Sequence, residues 1–133
     1  MRDAAHSPQL KQAYDSHLRE TEGQVNRLEK CFELINESPK AKTCDAMKGL
    51  ISEGDEMVNA NGDPDVKDAA LIAAAQRVEH YEMAGYGCLV HFANRLGQHD
   101  AARLLQETLD EEGEADKKLT AIAESSVNQK AAT

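Results

Sequence analysis

Arg77-Val78-Glu79-His80-Tyr81-Glu82-Met83-Ala84-Gly85-Tyr86-Gly87 lies in the middle of a helical pattern running from Asp65 to about Leu96. Within it, Glu79, His80 and Glu82 fall a turn or less apart, beside the apolar positions Ile72, Met83, Tyr86 and Val90. Burying such polar groups without partners is expensive. A metal ion would supply a reason for their position.

The same three- and four-residue steps extend outward from this stretch. Ser7-Pro8 reads as an N-cap followed by proline at the first helical position. From there Leu10, Tyr14, His17, Thr21, Leu28, Phe32 and Ile35 mark one face of a helix reaching about Asn36. Thr43 is the expected cap of a shorter second helix carrying Met47, Leu50, Ile51, Met57 and Val58. Asp63-Pro64 repeats the cap-plus-proline start, and Gly97 is the expected stop of the third helix. Asp100 is the expected cap of a fourth helix, with Leu105, Thr108, Glu112, Ala115, Leu119 and Ile122 on one face. The pattern predicts an all-α bundle of three long helices and one short connecting helix. One domain spans residues 1–126, and residues 127–133 are expected to form a flexible tail.

Composition agrees with that class. The chain has 133 residues, no Trp and only three Pro, and it carries 24 acidic against 15 basic residues for a net charge of -9. No basic run offers a nucleic-acid footprint, and the acidic balance argues against anionic membranes. No apolar run approaches spanning length. Cys31, Cys44 and Cys88 have no zinc-type spacing and read as mostly buried, reduced thiols of a cytoplasmic protein.

Three long helices carry acids at or near their inner faces. His17 and Glu20 are three apart on the first, Glu79, His80 and Glu82 share the third, and Glu112 sits on the apolar stripe of the fourth, with Glu111 and Asp116 flanking it. Carboxylate oxygens with imidazole suit iron or manganese, and facing helices of a bundle are how such sites are assembled. The plain alternative is that these acids occupy solvated faces or form ion pairs within one helix. The glycines Gly85 and Gly87 are best explained by close approach of a neighbouring helix, with a local bulge beside a site as the alternative.

His17–Val25, Lys42–Leu50, Asp68–Gly87 and Glu107–Glu112 together resemble the YciF/YciE family of bacterial stress proteins, a ferritin-like group. The resemblance implies a ferritin-like bundle, a binuclear iron or manganese centre, dimeric assembly and a link to stress. On a di-metal reading, Glu79, Glu112, Glu20 and His17 are the expected ligands, with Glu82, His80 and Asp116 as alternates or outer partners. The chain departs from the family in three ways. His17 precedes Glu20, the reverse of the usual Glu-x-x-His order, and the fourth helix has no histidine. Met1–His6 also reads as the end of a further helix, whose loss would open an apolar groove for a partner chain to fill. Two functions follow: a di-metal site reacting with oxygen or peroxide, or a metal-free helical oligomer serving as a structural or interaction module.

Overall fold

The computed structural model describes all 133 residues. Four helices dominate: α1 (Pro8–Leu34), α2 (Asp45–Asn59), α3 (Pro64–Arg95) and α4 (His99–Ile122). A 3-10 turn at Arg2–Ala4 precedes them. A π-helical turn at Ala123–Val127 and a short α5 (Asn128–Ala131) continue α4. There are no strands.

The starts of α1 and α3 obey local chemistry. Ser7 Oγ accepts from the Leu10 amide, Asp63 Oδ1 accepts from the amides of Asp65 and Val66, and proline follows each cap. Two expected caps differ. Cys44, not Thr43, caps α2, its sulfur accepting from the Met47 amide at 3.5 Å. Gln98 precedes α4 without a side-chain bond, so Asp100 lies inside the first turn, where its charge still favours the helix dipole. Gly97 takes the left-handed conformation (φ 74°) just past the C-cap of α3, as expected of a terminating glycine.

α4 packs along both α1 and α3, while α2 packs against α3. All six stripe positions expected on α4 are buried. The core is divided in two. One apolar cluster holds Leu10, Leu71, Ile72, Leu119, Ile122 and Val127, and the other holds Cys31, Val90, Ala101 and Leu105. Each Leu, Ile and Val side chain among them stabilises the fold by about 1.5–3 kcal/mol when fully buried. Between the clusters, α1, α3 and α4 contribute polar side chains instead. That interruption positions the candidate site.

Two cross-links fix helix register around it. The buried Asp68 carboxylate accepts from the His6 and Ser7 amides at 2.7 and 2.6 Å, tying the start of α1 to α3. Arg27 of α1 grips α4: its two terminal nitrogens reach Glu111 at 2.7 and 2.8 Å, and one also reaches Thr108 Oγ1 at 2.8 Å.

Several side chains sit differently from the sequence reading. Only Cys31 of the three free cysteines is buried. No atom lies within 4 Å of where a Cβ would stand at Gly85 or Gly87, so no helix of this chain packs closely there, and α3 runs through them without a bulge. Val127, placed by the sequence at the start of a flexible tail, is only 2% exposed, because the π-helical turn rotates it into the first cluster.

Candidate metal centre

His17 comes from α1, Glu79 from α3 and Glu112 from α4. The imidazole Nε2 lies 3.3 Å from Glu79 Oε1 and 3.6 Å from Glu112 Oε2. One ligating atom from each residue fits within a 4.8 Å span. Both carboxylates are almost fully shielded, with Glu79 3% and Glu112 0% exposed. Three of their oxygens, Glu79 Oε2 and both of Glu112, have no hydrogen-bond partner. Orphaned buried oxygens at this density are rare in folded proteins. A cation would satisfy all three. The residues therefore fit a divalent metal ion.

Electrostatics repeat the point. The Glu79 contact, followed by the Glu112 charge, outweighs burial and pushes the His17 imidazole up to about 9. Burial, then Glu79, raises the Glu112 carboxyl to about 8. Burial, with help from Glu79, raises the half-buried Glu82 as well. The protein thus crowds carboxyl groups that resist ionising together. Protons or a metal ion must offset that charge.

Glu20 is not part of the converging group. It sits one turn beyond His17, with its carboxylate 3.4 Å from the other ring nitrogen, Nδ1. That contact holds a proton on Nδ1 and keeps Nε2 aimed at the buried acids, the arrangement in which a carboxylate orients a ligating histidine. His80 and Asp116 pair with each other at 3.1 Å, and His80 is 66% exposed. Asp116 also accepts from Gln76 at 2.9 Å. Their positions on the α3–α4 face turn them away from the triad. Glu82 is the remaining expected acid that stays close, acting electrostatically on Glu112.

Two tyrosines border the site. Tyr86 is half-buried, and burial together with Glu82 and Glu112 pushes its phenol up to about 12. Tyr14, one turn before His17 on the same face of α1, ends in a buried hydroxyl with no partner. The sequence places Tyr14 on the same face as His17 without marking it as a neighbour of the site, although the three-residue spacing between them is a usable signal. Tyr81 lies elsewhere, hydrogen-bonded to the exposed Cys44 thiol at 3.0 Å. A cavity of about 690 Å³ opens from the triad toward solvent between α1 and α4, and Tyr14, His17, Glu20 and Glu79 are among its walls.

Known proteins share this architecture. The stress protein YciF of Escherichia coli (strain K12) is 48% identical over 129 residues, 96% of this chain and 78% of the relative. The YciF crystal structure superposes with a TM-score of 0.91 at 47% identity, covering 96% of this chain and 80% of that one. YcfI of Rhodopseudomonas palustris, described in terms of a proposed structural role, matches with a TM-score of 0.86 at 42% identity, covering 90% of this chain and 76% of its own. Residues 1–132 match the family described as Domain of unknown function (DUF892), and the chain belongs to that family.

Proposed function

We propose that the chain is a stress-related protein built around a binuclear iron or manganese carboxylate centre that reacts with oxygen or peroxide. The observation that carries this reading is the set of three partnerless buried oxygens on Glu79 and Glu112, the two carboxylates that reach His17 Nε2. His17, Glu79 and Glu112 would hold the first ion. Glu79 and Glu112 would also contribute to holding a second ion, with Glu82, which acts electrostatically on Glu112, as a further carboxylate for it. When bound, such ions supply open coordination positions and redox capacity for the oxidant.

The protein's own residues set the conditions for that chemistry. Glu20 holds the imidazole in one tautomer through Nδ1. The apolar clusters on either side keep the carboxylates out of water, which strengthens their hold on a cation. The cavity between α1 and α4 gives small molecules a way in. The proposed setting is the cytoplasm, where the three free cysteines would stay reduced.

The test is paired replacement of Glu79 and Glu112 by Ala. Loss of bound metal with unchanged helicity, and loss of peroxide consumption by the iron-loaded protein, supports the centre. Unchanged metal content would remove the ligand assignment.

A metal-free helical oligomer is the second reading. It is favoured by apolar side chains left in solvent, with Leu18 50%, Val25 53% and Ile51 52% exposed on α1 and α2. A second copy covering them makes a dimer part of either reading. Sedimentation equilibrium reports it directly: twice the chain mass supports pairing, and a clean monomer at micromolar concentration argues against it.

A further inference from the structure

Two openings reach His17 from opposite sides of α1, and they differ in chemistry. The groove on the α2 side is bordered by Leu18, Val58 and the ion pair of Arg2 with Asp3. The cavity on the α4 side has five acidic residues and two lysines among its twelve lining residues. Glu79 belongs to the second wall alone, and its Oε2 is buried and unpartnered. Carboxylates therefore extend from the rim of α4 to a buried carboxylate oxygen that lacks a partner.

We propose that the cavity between α1 and α4 is the route by which a divalent cation reaches the triad, with Asp110 and Glu114 as a transient outer binding position. This inference rests on the metal-centre reading above. Asp110 and Glu114 are one helical turn apart on the same side of α4, so their carboxylates face the rim together. Neither is committed to the interior. Asp110 accepts from Gln106 Nε2 at 2.8 Å, and Glu114 accepts from Lys117 Nζ at 2.6 Å, both in exposed settings. Glu111, on the same wall, is held by Arg27 and is therefore a poor carrier. A cleft whose walls carry an excess of one charge concentrates the opposite ion, and a cleft lined wholly by one sign raises on-rates by about 10–10³-fold. Lys117 and Lys118 oppose this at the rim, so their charge sets how fast cations pass.

The experiment is stopped-flow uptake of cobalt(II) by the metal-stripped full chain, followed by the visible band of the bound ion. Asp110→Asn combined with Glu114→Gln is expected to slow uptake about tenfold at low ionic strength. The final amplitude should be unchanged, since neither residue belongs to the centre. Lys117→Gln combined with Lys118→Gln should accelerate uptake. Near 1 M salt, where the screening length falls to about 3 Å, the three proteins should converge. Identical rates at low salt would overturn the route while leaving the centre standing. A reduced final amplitude in the Asp110/Glu114 variant would also overturn it, by making those residues part of the centre. Failure of the unaltered protein to take up cobalt would overturn both.

Discussion

The Glu20 carboxylate lies 3.4 Å from Nδ1 of His17, on the side of the imidazole away from Glu79 and Glu112. An exposed acid on α1 thereby sets the orientation of a ring whose other nitrogen points into the interior. Carboxylate partners of this kind typically contribute 10–100-fold to metal affinity. Glu20→Gln is therefore expected to weaken metal binding by about that factor while leaving thermal unfolding of the metal-free protein nearly unchanged. Titration calorimetry with manganese(II) checks the first part and calorimetric melting the second.

The metal-free protein should lose stability as pH rises. Glu112 has a folded value near 8 against an ordinary 4.5, so between those limits the folded state binds more protons than the unfolded state. Stability then falls as pH increases through that window. His17, raised to about 9, stabilises most below its ordinary 6.5, and that contribution is lost as pH climbs to 9. The two effects share a sign. Urea unfolding should show a decline on the order of 3 kcal/mol from pH 5 to pH 8. Glu112→Gln should flatten it and make the metal-free protein more stable at pH 8. Saturating manganese should reverse the slope, because metal binding competes with protons.

Asp68 is buried with no exposure and accepts two backbone amides at the entrance to α1. Asp68→Ala leaves both donors without their acceptor, the Ser7 amide in a buried setting and the His6 amide at its edge. A loss of about 3 kcal/mol is expected, seen as a lower urea midpoint with an unchanged slope.

Tyr14 carries the opposite prediction. Its buried hydroxyl has no partner, so Tyr14→Phe removes a desolvation penalty of about 1–3 kcal/mol while keeping the ring's packing. The melting temperature should rise by several degrees. A fall would mean that the hydroxyl finds a partner in solution.

Arg27 and Glu111 should prove energetically coupled across α1 and α4, since the guanidinium engages both carboxylate oxygens. A double-mutant cycle with Arg27→Ala and Glu111→Ala is expected to give a coupling of about 1 kcal/mol. Additive effects would show that the pair does not lock the two helices.

Much of this was legible in the sequence because helix periodicity is a strong local signal. The α4 stripe from Leu105 to Ile122 was read off correctly at every position, and Glu79 and Glu112 stood out as acids on apolar faces. The cap of α2 was harder, since Thr43 and Cys44 are adjacent and only backbone geometry separates them. His80 illustrates a deeper limit. One residue from Glu79 on the helix, it is rotated by about 100° and lands in solvent. The burial of Val127 depends on a π-helical turn that no periodicity announces. Ile35 and Ile51 read as core from pattern alone yet are exposed, because periodicity shows an apolar face but not what covers it.

The most direct measurement is metal content by mass spectrometry on protein purified without chelator, together with anaerobic iron(II) titration. The account predicts about two iron or manganese ions per chain, retained with His17, Glu79 and Glu112 intact and lost when both glutamates are replaced. No bound metal, even after anaerobic loading, would contradict it and leave a helical scaffold with protonated buried acids.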